Sequence, residues 1–158
     1  MKTIRRIQSG ETDLYKQNRL MALKEAPYAF GSTYDSALER SDESWRAQVE
    51  SSAQGSDRAT FLAFSDNAPI GIAALYRDKE NGDTGELLQV WISPEFRGTN
   101  VIWDLMDEIF QWAVENNFRK VIAGVAKENT RALKFYAKYG FSTMDETPQG
   151  VILVKEVV

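Results

Sequence analysis

Residues 86–141 read ELLQVWISPEFRGTNVIWDLMDEIFQWAVENNFRKVIAGVAKENTRALKFYAKYGF, and this stretch decides the fold. It begins with a largely apolar run, ELLQVWI (86–92), which predicts a buried strand that Pro94 ends. A short loop containing Gly98 follows, and apolar side chains then recur every three or four residues along one helix face. These are Ile102, Leu105, Met106, Ile109, Phe110, Ala113 and Val114. A helix N-terminus has unpaired N–H groups and a partial positive charge, so the order strand, loop, helix can cradle a phosphate, but one Gly alone is more typical of a plain connection.

The second half of the stretch predicts another strand and a short helix. KVIAGVA (120–126) is typical of a buried strand, and NTRALKFYAKYGF (129–141) follows it. Asn129 starts the helix, which continues to Tyr139, and Gly140 stands where a left-handed C-terminal cap is expected.

The rest of the chain supplies helices and strands that complete a mixed sheet. Helices are predicted at 11–25 and 42–52, and strands at 3–8, 60–64, 69–76, 141–144 and 151–157. The order β-α-α-β-β-β-α-β-α-β-β indicates an α/β protein with helices on the faces of its sheet. Since no linker-like segment divides the sequence, we expect residues 1–158 to form a single domain.

Composition excludes several classes of chemistry. The 158 residues include neither Cys nor His, so thiol nucleophiles, Ser-His-Asp triads and Cys- or His-based metal sites are excluded. The formal net charge of −4 argues against nucleic acid as a partner. With neither a membrane span nor a signal peptide apparent, we expect a soluble, cytoplasmic protein.

The two motifs together resemble those of the GNAT superfamily of N-acetyltransferases. That family carries Gln/Arg-x-x-Gly-x-Gly/Ala in the loop after its fourth strand, and Asn-x-x-Ala, Phe/Leu-Tyr and Gly-Phe further on. The second set matches Asn129, Ala132, Phe135-Tyr136 and Gly140-Phe141. The resemblance implies a mixed, mostly antiparallel central sheet of six to seven strands, flanked by about four helices.

The first motif departs from the family pattern. With Arg97 at the first signature position, Asn100 and Ile102 stand where the family has Gly and Gly/Ala. Asn still supplies a backbone N–H, tolerates left-handed angles and can cap a helix. The Ile102 side chain either crowds the cofactor or packs inward with the apolar stripe. Asp104, in the first turn of the helix, would repel a nearby phosphate.

The resemblance also implies acetyl-CoA as cosubstrate, without a metal ion. The backbone of Val90, Trp91 and Ile92 would pair with the pantetheine arm. The loop and first helical turn would bind the pyrophosphate through Arg97, Gly98, Thr99, Asn100, Val101 and Ile102. Asn129 would contact the pantetheine, cap its own helix, or do both.

Two residues are candidates for proton transfer. Tyr136 matches the family position that protonates the departing CoA thiolate, and a phenol can donate a proton to such a thiolate. Glu86 corresponds to a general base in protein-acetylating relatives, but a surface carboxylate and a base made of a water chain are both alternatives. Because the chain has no Cys, an acetyl-cysteine intermediate is excluded, and direct transfer through a ternary complex is expected.

The acceptor is expected to be an amine of a small molecule or a protein. Tyr28, Phe30 and Tyr34 are the principal candidates to contact it, with Trp45 and Trp91 as further aromatic candidates. The alternative is a non-catalytic acyl-CoA-binding or partner-binding module on the same scaffold, and a chromatin-type protein acetyltransferase is a third interpretation. Relatives are often dimers, and a homodimer stays open.

Overall fold

A seven-stranded sheet forms the centre of the protein in a computed structural model, which describes residues 1–26 and 33–158. The strands are β1 (Lys2–Arg6), β2 (Arg58–Ser65), β3 (Ala68–Arg77), β4 (Thr84–Ile92), β5 (Lys120–Val125), β6 (Ser142–Thr147) and β7 (Gly150–Glu156). They lie in the order β1-β2-β3-β4-β5-β7-β6, with β4 and β5 parallel and every other neighbouring pair antiparallel. The predicted fold class, a mixed and mostly antiparallel sheet with flanking helices, is confirmed.

Five α-helices flank the sheet within the described ranges. They are α1 (Thr12–Glu25), α2 (Tyr34–Leu38), α3 (Asp42–Ala53), α4 (Val101–Glu115) and α5 (Thr130–Tyr139). The short helix α2 was not predicted. It begins with a capping box, in which the Thr33 hydroxyl accepts from the Ser36 N–H and the Ser36 hydroxyl accepts from the Thr33 N–H. None of the helices in these ranges is long and apolar enough to cross a membrane.

The sheet separates two clusters of apolar side chains. Alternate residues of β2 point to opposite faces: Phe61 and Ala63 join one cluster, whereas Leu62 and Phe64 join the other. The α4–α5 cluster contains Val101, Leu105, Met106, Ile109 and Tyr136. The α1–α3 cluster contains Tyr15, Leu23, Trp45, Val49 and Trp91. Strand β4 lies between the two clusters, so its two faces meet different sets of helices.

Candidate active site

Backbone pairing between β4 and β5 is short. In the described part of the chain it joins only Thr84–Glu86 to Lys120–Ile122. Beyond that point β5 continues along β7 and β4 continues along β3. Residues 87–92 of β4 therefore present the side that faces β5 without a strand partner, and this segment includes the predicted pantetheine-binding residues Val90, Trp91 and Ile92. A ligand with peptide-like amides can add to such an edge.

A β-bulge in β4 changes the direction in which the Gln89 side chain points. Ala74 of β3 pairs with Leu88 and Ile72 pairs with Trp91, so β4 holds one residue more than β3 over this interval. Gln89 lies in the bulge with a left-handed φ of 59°. Bulges of this kind redirect side chains and are common next to active sites. The Gln89 amide meets two tyrosines from β3 and α1, a contact that the sequence did not indicate.

The loop before α4 takes its turn at Gly98. This glycine has a φ of +81°, in the left-handed region, and a side chain there would meet no atom within 4 Å. Asn100 has ordinary right-handed angles (φ −80°, ψ 1°), and its side chain makes no capping hydrogen bond. The expectation that Asn100 can cap the helix or supply a left-handed angle is therefore not met, because the chain has already turned at Gly98.

The N-terminus of α4 leaves backbone donors available. Among the residues that the structure describes, no acceptor lies within hydrogen-bond distance of the N–H groups of Ile102 and Trp103. The Ile102 side chain packs against the α4–α5 cluster, which favours inward packing over crowding of the cofactor. The Asp104 carboxylate forms an ion pair with Lys2 of β1, so part of its negative charge is compensated. The helix end thus retains a donor-rich, positively polarised character.

The Arg97 side chain binds the loop before α4 to both β4 and α1. Its Nε donates to the carbonyl oxygen of Ile92 at 3.0 Å, and its guanidinium forms an ion pair with Glu25. The indole N–H of Trp91 donates to the same carboxylate at 2.8 Å. Desolvation acts to raise the pKa of Glu25, but the hydrogen bonds from Trp91 and Arg97 outweigh it and lower that pKa. The Arg97 side chain is therefore occupied, and the backbone N–H groups beside it are what the loop offers an anion.

Asn129 caps α5. Its Oδ1 accepts a hydrogen bond of 3.2 Å from the N–H of Ala132. Asn129 therefore has the predicted capping role. The Nδ2 of Asn129 makes no hydrogen bond to any described residue. The side chain can therefore cap the helix and still present a donor.

Tyr136 lies on α5 with its ring inside the α4–α5 cluster. The residue is 5% exposed, and its ring contacts those of Phe135 and Phe141 at centroid distances of 5.3 and 5.1 Å. Its hydroxyl has no hydrogen-bond partner among the described residues. Burial raises the pKa of Tyr136 above its ordinary value, so the phenol stays protonated over a wide pH range.

Glu86 lies where β4 and β5 stop pairing. It is the third residue of β4, rather than the first as predicted, because the strand begins at Thr84. Its side chain is exposed, and its Cα partners are Tyr76 on β3 and Ile122 on β5. Directly paired residues point to the same face, so Glu86 and Tyr76 share the face that carries α1 and α3.

Only part of the predicted acceptor set can be placed. Tyr34 is the first residue of α2, half-buried, with the Lys24 ammonium 5.8 Å from its ring centroid. Tyr28 and Phe30 lie outside the described residues. Trp45 is fully buried beneath Tyr15 and Arg40, and Trp91 is also buried in the α1–α3 cluster. These two tryptophans therefore belong to the apolar core, and their burial does not favour a contact with the acceptor.

Comparison with known proteins agrees with this architecture. The sequence matches the Acetyltransferase (GNAT) family over residues 20–141. An uncharacterized N-acetyltransferase of Mycobacterium tuberculosis is 33% identical over 84 residues, which is 53% of this chain and 53% of that protein. This chain thus aligns with about half the length of that curated relative.

Solved structures share the whole fold at low sequence identity. A GNAT-family acetyltransferase of Streptococcus pneumoniae superposes with a TM-score of 0.85 and 18% identity, covering 100% of both chains. The PaiA N-acetyltransferase of Thermoplasma acidophilum, solved in complex with coenzyme A, gives a TM-score of 0.81 and 19% identity, covering 99% of both chains. The chain belongs to the GNAT family of acetyltransferases. The family resemblance drawn from the sequence is therefore confirmed.

Proposed function

We propose that residues 1–158 form one N-acetyltransferase domain that transfers an acetyl group from acetyl-CoA directly to a primary amine. The observation that carries the proposal is the unpaired edge of β4 beside the free N–H groups at the start of α4. An extended arm carrying amides would pair with the backbone of Val90, Trp91 and Ile92. A pyrophosphate joined to that arm would accept hydrogen bonds from the first turn of α4.

Several residues would bind acetyl-CoA, the acetyl donor. The pyrophosphate would bind backbone groups of the loop and first turn: Gly98, Thr99, Asn100, Val101 and Ile102. The N–H groups of Thr99 and Val101 donate to Phe96 O and Thr99 Oγ1 in this structure, so they would have to exchange these bonds for the phosphate. Arg97 would act by positioning this loop, since its guanidinium is bound to Glu25 and to the end of β4. Asn129 would donate its free Nδ2 to the pantetheine while it caps α5.

The transfer would pass through one ternary complex. The amine nitrogen attacks the thioester carbonyl carbon, an N–C bond forms, and the C–S bond breaks with the electron pair remaining on sulfur. The amine loses a proton to Glu86 or to a water chain, and the CoA thiolate takes a proton from Tyr136. Burial keeps the Tyr136 phenol protonated and available when the thiolate departs, while the raised pKa also makes it a weaker acid than a solvent-exposed tyrosine.

Titration of acetyl-CoA into the pure protein by calorimetry, with CoA in parallel, tests the donor site. We expect micromolar binding of both ligands, followed by release of CoA thiol when a suitable amine is added. Absence of binding at millimolar ligand would contradict the proposal. Binding without thiol release from any amine of a broad panel would favour the non-catalytic acyl-CoA-binding module instead.

The role of Glu86 is tested by Glu86→Gln, with Glu80→Gln as the control. Both positions are exposed carboxylates, but Glu80 lies in the turn that connects β3 to β4. If Glu86 is the base, Glu86→Gln lowers kcat about a hundredfold at neutral pH and Glu80→Gln leaves it unchanged. Equal activities in the two variants would assign proton removal to water.

A further inference from the structure

A closed ring of four polar side chains lies on the face of β4 that carries α1 and α3. The Tyr15 hydroxyl donates to Gln89 Oε1 at 2.7 Å, and Gln48 Nε2 donates to the Tyr15 and Tyr76 hydroxyl oxygens at 2.8 and 3.1 Å. Gln89 Nε2 closes the ring by donating to the Tyr76 oxygen at 3.3 Å. The bulge in β4 creates this arrangement, because it brings Gln89 between the two tyrosines.

The orientations of the Gln48 and Gln89 amides set the hydrogen-bond directions in the ring. The shorter contact of Gln89, to Tyr15, has the length of an O–H···O bond, whereas the longer one, to Tyr76, fits an N–H donor. Tyr15 has one hydroxyl proton, which it donates to Gln89. Gln48 must therefore be the donor in its hydrogen bond with Tyr15. The Gln48 amide nitrogen therefore donates to both tyrosines.

The ring leaves Tyr76 with a proton to donate. A hydroxyl has two acceptor lone pairs and one proton, and both lone pairs of Tyr76 are occupied by amide N–H groups. Within residues 1–26 and 33–158 the Tyr76 hydroxyl donates no hydrogen bond. Tyr76 can therefore recognise only an atom that accepts a hydrogen bond, such as a carboxylate or carbonyl oxygen.

The charges around Tyr76 favour a carboxylate over a neutral carbonyl group. The Arg58 guanidinium lies 4.3 Å from the centroid of the Tyr76 ring. Arg40 stacks on Trp45 at 3.9 Å, and neither Arg40 nor Arg58 takes part in an ion pair of the described residues. Arg19 is 7% exposed on α1. Burial raises the pKa of Tyr15, and the charges of Arg19 and Arg40 oppose that rise. The Arg58 guanidinium thus lies against Tyr76, and those of Arg19 and Arg40 are near enough to Tyr15 to act on it electrostatically.

A buried amide adds further hydrogen-bonding capacity on the same face. Asn18 is fully buried on α1, one helical turn from Tyr15, and neither its Nδ2 nor its Oδ1 has a hydrogen-bond partner. Residues three and four apart share a helix face, and Tyr15 and Glu25 of α1 are hydrogen-bonded to Gln89 and Trp91 of β4. Asn18 therefore belongs to the part of α1 that crosses β4 at the bulge.

We propose that the acceptor is an amine that also carries a carboxylate, as a free amino acid does. Its carboxylate would accept the Tyr76 proton within the field of Arg19, Arg40 and Arg58, and its amine would face Glu86, the cross-strand neighbour of Tyr76. This inference rests on the proposed acetyltransferase activity and narrows its substrate class. Polyamines and other multiply cationic acceptors are disfavoured by the same guanidinium groups.

Matched acceptor pairs test the proposal. Each of the twenty amino acids is compared with its carboxamide at saturating acetyl-CoA, and aliphatic diamines are included, with release of CoA thiol as the readout. We expect kcat/KM for the best amino acid to exceed that of its amide at least tenfold, mainly through KM. In Tyr76→Phe that ratio should fall about tenfold, because the donated hydrogen bond to a charged group is lost.

Tyr139→Phe is the control, because it removes a tyrosine hydroxyl that binds Asp107 on α4, outside the ring. It should leave the ratio of acid to amide unchanged. If Tyr76→Phe fails to fold, Arg58→Gln replaces it, and the expected change is again a lower ratio. This ratio is insensitive to a purely structural defect, which would lower both rates together.

The outcomes separate this inference from the proposed function. Turnover of amides or diamines at rates equal to those of the acids, or an unchanged ratio in Tyr76→Phe, overturns the inference and leaves an acetyltransferase. Binding of acetyl-CoA without turnover of any amino acid also overturns the inference alone. Failure to bind acetyl-CoA overturns the proposed function.

Discussion

The Nε of Arg97 donates a hydrogen bond to the carbonyl oxygen of Ile92, the last residue of β4. This bond closes the turn between β4 and α4 and directs the guanidinium towards Glu25 of α1. In the proposed acetyl-CoA site, Arg97 would therefore act through the backbone that it positions. An anion bound at the start of α4 would meet N–H groups whose direction depends on this turn.

Replacement of Gly98 by alanine tests the importance of the turn, with Gly82→Ala as a matched control. A Cβ at either position would meet no atom within 4 Å, but only Gly98 has a left-handed φ. We expect Gly98→Ala to lower the free energy of unfolding by about 1 kcal/mol and to weaken acetyl-CoA binding, since the loop must change conformation. Gly82→Ala should leave both quantities unchanged or slightly increase stability. Urea denaturation and calorimetry measure the two effects, and equal losses in both variants would contradict the assignment.

Two substitutions of Asn129 separate its capping role from donor binding. Asn129→Ala removes the bond to the Ala132 N–H and should lower the free energy of unfolding by about 1 kcal/mol. Asn129→Asp keeps an acceptor oxygen, so stability should be preserved, whereas the lost Nδ2 donor should weaken acetyl-CoA binding several-fold. Normal binding by Asn129→Asp would show that Asn129 serves the helix alone.

The variant Tyr136→Phe should lower kcat about a hundredfold and leave the affinity for acetyl-CoA unchanged, because it removes the proton donor without altering the ring. Folding should be little affected, since the hydroxyl makes no hydrogen bond to a described residue. Tyr139→Phe, three residues further along α5, is the control and should retain full activity. Steady-state kinetics and calorimetry test this, and an active Tyr136→Phe enzyme would assign protonation of the thiolate to solvent.

Alkaline pH should destabilise the protein in a manner that depends on its buried tyrosines. Burial raises the pKa of Tyr15 and of Tyr136, so each phenol ionises near pH 10 only in the unfolded chain. Below pH 10 both phenols are protonated in the folded and in the unfolded chain, so they contribute no pH dependence to the free energy of unfolding. Above it the unfolded state has lost protons that the folded state keeps, and stability falls by about 1.4 kcal/mol per pH unit for each group.

The contribution of one phenol to this effect is obtained by difference. Relative to the parent protein, Tyr136→Phe should gain about 1.4 kcal/mol of stability when the pH is raised from 9 to 11. Denaturant unfolding at the two pH values measures this gain. A difference that does not change with pH would contradict burial of the Tyr136 hydroxyl.

Periodicity and turn residues were enough to predict most elements of this fold. The helix expected at 42–52 is α3 (Asp42–Ala53), and the strand expected at 69–76 is β3 (Ala68–Arg77). The apolar spacing from Ile102 onward predicted α4 because one continuous stripe must face the sheet. Helix α2 escaped prediction, since its five residues are too few for a period and its capping box uses Ser36 in place of Glu or Gln.

The candidate active site could be predicted from the sequence only in part. Tyr136 and Asn129 are close in sequence and form a recognisable motif. The ring of polar side chains joins Tyr15 to Gln89, 74 residues apart in the chain, and depends on a one-residue bulge that leaves no clear sequence signal. Ile102 departs from the family pattern, but the side chain packs inward because residue 102 continues the apolar stripe of α4.

The two apolar clusters on opposite faces of the sheet have no residue in common. A substitution in the α1–α3 cluster therefore reaches the α4–α5 cluster through the strands between them, and Glu25, which binds Arg97 in the loop before α4, is the exception on α1. Such a layout lets mutations accumulate on one side while the other keeps its geometry. For protein engineering, a library confined to α1, α2 and α3 that keeps Glu25 would vary the proposed acceptor face without repacking the helices that carry Asn129 and Tyr136.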